Sequence, residues 1–279
     1  MNAARVRRLC VRGVALVAAA WIGASALLWA MQERLLFTGR HSGHGAPLAK
    51  IDRVRDETIT AEGGMRIRVA IAKPVGPPRG VIVCFGGNGE DLHSGQRWAK
   101  SWADDWEFLA LYAEHPGYGD SDGEPSLASF AAAAEAAARR GRALAEGKPL
   151  VAFGNSLGSW CAMRAAASGL VDFVILRSPP SSIGDAGAHH FPWLPVRLLL
   201  RHDFDNLALA HDVHVPVLIL HGDLDRTVPF DHGHRLAEAL GDRASFVLAV
   251  DCDHNDVPLT RLGPYGLQIE AFLTGRARR

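Results

Sequence analysis

An α/β fold, a mostly parallel twisted sheet with helices on both faces, follows from three features of the sequence. From residue 81 to residue 272, short apolar runs of strand type alternate with longer helix-type stretches, and repeated β-α crossovers build a parallel sheet. Ahead of that series, 51–60 and 65–72 read as two strands separated by Gly63-Gly64, a hairpin that adds an antiparallel edge. With 279 residues, 48% hydrophobic and 22% charged, the chain is long enough for one large core and short for two.

The N-terminus stands apart from this pattern. The 19 residues from Gly13 to Met31 carry no charge and span roughly 28 Å as a helix, enough for a hydrocarbon core. Arg5, Arg7, Arg8 and Arg12 precede the run, while Glu33 and Arg34 nearly cancel behind it. The positive-inside bias therefore predicts a cytoplasmic segment 1–12, a transmembrane signal anchor 13–31, and a domain 32–279 on the non-cytoplasmic side, periplasmic in a bacterium. Trp21 and Trp29 suit interfacial anchoring. The competing expectation is a secreted protein cleaved near Ala26, since Ala24-Ser25-Ala26 is an acceptable small-residue site. A retained anchor fits better, because the apolar run continues five residues past that site.

Past the hairpin, Pro74 to Gly80 breaks the pattern, and Val81-Ile82-Val83-Cys84-Phe85 is a buried-type strand ending at Gly86-Gly87-Asn88-Gly89. A helix at 94–103, a strand at 107–112 and a long alanine-rich helix at 126–146 follow. Next come a strand beginning at Leu150, a helix at 156–167 and a strand at 173–177. The irregular stretch 178–215 reads as a lid-like insertion. Strand 217–220, helix 231–240, strand 246–250 and helix 258–272 close the series.

The pivotal stretch is Leu150-Val151-Ala152-Phe153-Gly154-Asn155-Ser156-Leu157-Gly158, a Gly-x-Ser-x-Gly motif between a strand and a helix. Gly154 and Gly158 permit a backbone turn that a Cβ at either position would block, and Ser156 is thereby presented at the start of a helix, where developing negative charge is favoured. A serine nucleophile needs a base, and the base needs an orienting acid. In the chain order serine, acid, histidine, the acid follows strand 217–220 and the histidine follows the last strand. Asp225 and His254 occupy those places. Asp223 is set aside, because it directly follows Gly222 and suits an Asx-turn within its own loop. His221, His211 and His214 read as structural. The backbone N–H groups of Leu157 and Asn88 are the expected oxyanion donors.

Composition removes other classes. Lys plus Arg and Asp plus Glu are both 30, giving zero net charge, so no polyanion-binding surface and no nucleic-acid partner are implied. Cys10, Cys84, Cys161 and Cys252 are too few and scattered for a disulfide framework or a zinc cluster; the last three suit buried gaps. No metal or organic cofactor is called for.

Ordered motifs across 32–272 complete the picture: Gln32-Glu33-Arg34-Leu35-Leu36-Phe37, Phe85-Gly86-Gly87-Asn88-Gly89, Pro116-Gly117-Tyr118-Gly119-Asp120-Ser121-Asp122-Gly123, Gly154-Asn155-Ser156-Leu157-Gly158, Phe191-Pro192-Trp193-Leu194-Pro195, His221-Gly222-Asp223-Leu224-Asp225 and His254-Asn255-Asp256. In these the chain resembles the membrane-anchored α/β-hydrolase-domain proteins of the serine hydrolase superfamily. That group includes lysophospholipid lipases and protein depalmitoylases and is distantly similar to prolyl oligopeptidases. The resemblance implies an α/β-hydrolase fold, Ser156, Asp225 and His254 as catalytic triad, and Asn88 and Leu157 as oxyanion donors. One departure stands out: Gly86-Gly87-Asn88 replaces the group's usual His-Gly-Asn, which implies altered packing near the mouth of the site. The implied reaction is transfer of an acyl group to water. Within 178–215, Phe191, Trp193 and Leu194 suit an acyl-sized pocket and ordinary helix packing equally well, and a membrane tether favours a lipid or acyl ester. Two other classes share these residues, an acyl-peptide or aminopeptidase-like hydrolase and a non-catalytic binding protein on the same scaffold. Amidase turnover or failure of Ser156 to react with a fluorophosphonate separates them.

Overall fold

The computed structural model describes residues 3–40, 42 and 44–275. Residues 1 and 2 of the basic N-terminal segment and 276–279 of the C-terminal segment lie outside them. The apolar run sits within one long helix, α1 (Ala3–Leu36), which extends past the expected span at both ends. Up to Gly23 its described side chains are exposed, whereas Ser25, Leu28, Gln32 and Leu36, spaced three or four apart, turn toward the domain. The boundary expected at 31–32 therefore falls inside a helix.

Strands β1 (Val54–Thr60) and β2 (Arg66–Ala72) pair antiparallel around a turn in which Gly63 and Gly64 take φ of 73° and 82°. The rest follow in chain order as β3 (Val81–Phe85), α2 (Leu92–Trp106), β4 (Leu109–Ala113), α3 (Leu127–Ala145), β5 (Leu150–Asn155), α4 (Gly158–Ala167) and β6 (Phe173–Arg177). After three short helices, α5 (Ile183–His190), α6 (Val196–Leu199) and α7 (Asn206–Leu209), come β7 (Val217–Gly222), α8 (Asp231–Leu240), β8 (Ala244–Ala249) and α9 (Gly266–Leu273). The eight strands lie in the order β1-β2-β4-β3-β5-β6-β7-β8, with β2 antiparallel to β4 and every pair from β4 to β8 parallel.

The sheet divides the core into two apolar layers. On one face Phe130 of α3, Trp160 of α4 and Leu236 of α8 are buried with Val83, Ala152 and Ile219. On the other, Trp102 and Trp106 of α2 and Ile269 of α9 are buried with Cys84, Phe153 and Leu218. Burial on both faces is why these strands read as continuous apolar runs rather than alternating ones.

The stretch 178–215, expected to be irregular, holds α5, α6 and α7; elsewhere element types match the sequence pattern, and the differences are at ends. Helix α2 starts two residues before the expected Ser94 because Asp91 caps it, accepting from Ser94 N while Ser94 Oγ accepts from Asp91 N. It runs on to Trp106, where Glu107 takes a left-handed C-cap with φ 60° instead of opening β4. Strand β1 begins at Val54 rather than 51, after Arg53 turns with φ 61°. The closing helix begins at Gly266, not 258. Pro264 disfavours helical backbone at Gly263, and a Cβ on Gly266 would stand 1.9 Å from the Arg261 carbonyl oxygen, so the chain there is a series of tight turns.

Candidate active site

The turn between β5 and α4 places Ser156 at φ 50°, a left-handed conformation costly for a residue with a Cβ. It is held by its own N–H donating to Arg177 O at 2.9 Å and by Ser159 N–H donating to Ser156 O at 3.0 Å. The flanking glycines are required by backbone atoms that cannot swing away. A Cβ on Gly154 would stand 2.5 Å from Gly158 O, and one on Gly158 would stand 2.2 Å from Phe85 O.

The loops after β7 and β8 bring Asp225 and His254 to the same edge, beyond the carboxyl ends of the parallel strands. His254 Nε2 lies 2.9 Å from Ser156 Oγ, and His254 Nδ1 lies 2.7 Å from Asp225 Oδ2. A carboxylate only accepts, so Nδ1 carries the proton and Nε2 is left to accept from the serine hydroxyl. Asp225 is itself strongly held. Its Oδ1 accepts from Thr227 N at 2.9 Å and Val228 N at 2.7 Å. Burial alone would raise its pKa, but donors from His221, His254 and Val228 overcome that and hold the carboxyl well below the usual range. His221 Nε2 donates to Val228 O at 2.8 Å and lies 3.2 Å from Asp225 Oδ2, so this histidine buttresses the acid. Asp223 does not make the expected Asx-turn: its Oδ1 is buried with no partner among the described residues, while its N–H donates to Ala249 O. A Cβ at Gly222 would meet Cys252 O at 2.2 Å, and the close crossing of the two loops there fixes the backbone of position 223 instead.

A cleft of about 590 Å³ opens over Ser156, lined by Asn88, Leu157, His254 and Asn255 and by apolar Leu36, Ile183 and Val228. Asn88 and Leu157 both line it, and the backbone N–H of neither donates to another protein group among the described residues. The expected pocket residues divide. Phe191 lines an adjoining apolar groove; Trp193 and Leu194 line neither space. Trp193 sits exposed at the surface beside α1, and Leu194 is buried in the turn before α6.

No family model matches the chain. It is 30% identical over 263 residues to the uncharacterized protein Rv2307c of Mycobacterium tuberculosis, covering 93% of this chain and 92% of that one. It is 31% identical over 163 residues to the α/β-hydrolase domain-containing protein 17B of Xenopus tropicalis, covering 58% and 54%. A Pyrococcus furiosus esterase superposes with a TM-score of 0.66 at 15% identity, over 84% of this chain and 98% of that one. The chain has the α/β-hydrolase fold.

Several residues around the site carried no signal of their own in the sequence. Glu90 closes the loop after β3. It accepts from Gly87 N–H and from Trp98 Nε1 at 2.8 Å, and Asn155 Nδ2 lies 3.3 Å away. Arg177 then donates to Asn155 Oδ1 at 2.8 Å and lies 4.7 Å over the Trp98 ring. At Gly86, the point of departure, a Cβ would stand 2.1 Å from Tyr112 Oη and 2.8 Å from Glu90 Oε2, so a side chain there would require Tyr112 and Glu90 to shift. Asn88 is clamped by the strap that follows α1. Gly39 N–H donates to Asn88 O at 3.0 Å, and both Thr38 N–H (3.2 Å) and Tyr118 Oη (3.0 Å) donate to Asn88 Oδ1. The only signal was the place of Tyr118 within one glycine-rich motif and of Glu90 immediately after another. Cys84, Cys161 and Cys252 are buried and unpaired.

Proposed function

We propose that this protein is a serine hydrolase that cleaves an ester or thioester with a lipid-type acyl group, tethered to a membrane by α1. The observation that carries the reading is the continuous chain Ser156–His254–Asp225, with contacts of 2.9 and 2.7 Å, at the floor of the cleft. As Ser156 Oγ attacks the substrate carbonyl, its proton passes to His254 Nε2, and Asp225 stabilises the imidazolium. The tetrahedral oxyanion is received by the N–H groups of Asn88 and Leu157. His254 returns the proton to the leaving oxygen or sulfur, leaving an acyl group on Ser156. Water, deprotonated by the same imidazole, then releases the acid and restores the serine.

The tether rests on α1, whose uncharged stretch is long and apolar enough to cross a membrane. The arginines before it favour a cytoplasmic N-terminus and a domain on the other side. The test is labelling of the full chain in detergent with a fluorophosphonate, followed by turnover of p-nitrophenyl acyl esters and aminoacyl anilides. Wild type is expected to label and to cleave the esters, and Ser156→Ala to do neither. An unreactive wild type, equal labelling of Ser156→Ala, or a dominant anilidase activity overturns the reading.

A further inference from the structure

A second apolar space adjoins the cleft. It is a groove of about 180 Å³ between α1 and the α5–α6 segment, walled by Leu28 and Leu35 on one side and Phe191, Val196 and Leu199 on the other. Leu36, Ile183 and Gly187 line both spaces, so groove and cleft meet at these three residues. The polar residue in the groove wall, Gln32, has its amide occupied: Nε2 donates to Leu199 O at 3.1 Å and Trp29 O at 2.9 Å, and Oε1 accepts from Arg201 N at 2.7 Å. What remains facing the groove is hydrocarbon.

Helix and lid segment are joined along their length. Trp21 Nε1 donates to Trp193 O at 2.7 Å, Arg201 pairs with Glu33 at 2.8 Å, and the same guanidinium lies 4.1 Å over the Trp29 ring. These contacts fix the depth of the groove relative to a bilayer. The uncharged run ends at Met31, and its stretch from Ser25 onward packs against the domain. The 12 residues from Gly13 to Ala24 rise only roughly 18 Å as a helix, well short of the about 30 Å hydrocarbon core. A membrane-spanning α1 must therefore carry its last turns, with the α5–α6 face packed on them, into the near leaflet. Phe191, Trp193 and Leu198 are the large apolar side chains that α5–α6 leaves exposed there.

We infer that the anchor helix is one wall of the acyl-binding site: the groove takes the acyl chain of an ester lipid drawn sideways from the bilayer, with its carbonyl at Ser156. This rests on the serine hydrolase reading and adds to it a substrate drawn from the membrane and a site that is incomplete without α1.

The experiment uses the full chain in detergent and measures kcat/KM for p-nitrophenyl dodecanoate and butyrate. Leu28→Trp, which fills the groove away from Ser156, is expected to lower the dodecanoate-to-butyrate ratio by about tenfold, the effect of displacing one or two methylenes from an apolar site. Leu199→Trp fills it from the opposite wall and guards against a folding defect of the first variant. Leu27→Trp, on the exposed side of α1, should keep the wild-type ratio. A dodecyl fluorophosphonate with a terminal diazirine, once bound to Ser156, should crosslink to peptides within 25–36 or 183–200. An unchanged ratio in both groove-filling variants, or crosslinks only elsewhere, overturns the inference while leaving the hydrolase standing. A wild type that ignores both the short ester and the probe overturns the hydrolase reading, and this inference with it.

Discussion

Replacing Asp225 with asparagine changes one atom, and the structure dictates which way the amide must face. The two sides of the carboxylate are unlike. Oδ1 accepts from the fixed backbone N–H groups of Thr227 and Val228, whereas Oδ2 faces His254 Nδ1 at 2.7 Å and His221 Nε2 at 3.2 Å. Turning the amide nitrogen toward Thr227 and Val228 would set donors against donors, so the asparagine oxygen must take that side. Its NH2 then points at His254 Nδ1, which can accept only by giving up its proton. The proton moves to Nε2, 2.9 Å from Ser156 Oγ, and the imidazole can no longer act as a base. Turnover should fall by about 10⁴, the effect of the same wrong tautomer in the general serine-protease template. Stability should fall by only about 1–3 kcal/mol, because His221 keeps its bond to Val228 O. The sign with pH follows from the depressed carboxyl. Wild-type stability from this group is present above the unfolded carboxylate pKa and is lost as pH falls toward the folded one, a dependence that Asp225→Asn should lack. The assay is steady-state hydrolysis of a short p-nitrophenyl ester together with the rate of fluorophosphonate labelling. If both stay within about tenfold of wild type, the tautomer reasoning is refuted.

Two further outcomes are expected. Glu114, buried with Oε1 accepting from Leu92 N at 2.9 Å and Oε2 from Ser121 Oγ at 2.8 Å, has its pKa raised by burial to about 7. Between the unfolded value and that one, the folded state holds a proton that the unfolded state has lost. Stability should therefore decline as pH rises through the window, by on the order of 3 kcal/mol. His115 and His232, whose burial lowers their pKa to about 4, change stability in the opposite sense over the same range in both proteins, so the check is the difference: the change in urea midpoint between about pH 5 and about pH 8 should be more negative in wild type than in Glu114→Gln by the equivalent of that amount, and equal changes in the two count against the assignment. Tyr118→Phe removes one of the bonds to Asn88 Oδ1 and should lower kcat about fivefold with little change in KM, well short of the hundredfold or more that follows loss of an oxyanion donor itself. An effect confined to KM, or none, means that Asn88 does not depend on this clamp.

The sheet was legible because its strands are buried on both faces and its helices are punctuated by Gly, Pro and Ser. The run Val81 to Phe85 and the alanine-rich 126–146 each have one physical solution. Ser156, Asp225 and His254 were legible for a different reason: each follows a strand end, and a parallel sheet gathers its strand ends at one edge. What stayed hidden depends on contacts between distant segments. Nothing near Asp223 in the chain announces that Cys252 O crosses at Gly222, and nothing near Glu90 announces Trp98 or Asn155 as partners. Trp193 and Leu194 were placed by apolar character alone, which marks a residue for burial or for a membrane equally well and carries no direction within a short helix. The end of the apolar N-terminal helix failed in the same way. Hydropathy drops at Met31, but the helix continues to Leu36 because Gln32, Glu33 and Leu36 find partners on the domain.

That continuation ties α1 to the candidate site. Phe37, the first residue past α1, is buried with its ring 5.8 Å from Phe130 and 6.0 Å from Phe204, so the strap leaving α1 starts from the core rather than from solvent. Two residues on, Gly39 passes so close to Tyr118 that a Cβ would stand 2.3 Å from the ring, and only there can its N–H reach Asn88 O. Thr38 and Tyr118 meet at the Asn88 side chain from opposite sequence ends. A backbone donor works in catalysis only if it is aimed before the charge develops, and a glycine-rich loop such as 86–89 has little stiffness of its own. The strap supplies the missing stiffness from outside the loop. Leu36, immediately before it, lies where groove and cleft meet, so four consecutive residues, the last of α1 and the three after it, border the groove, anchor in the core and orient Asn88.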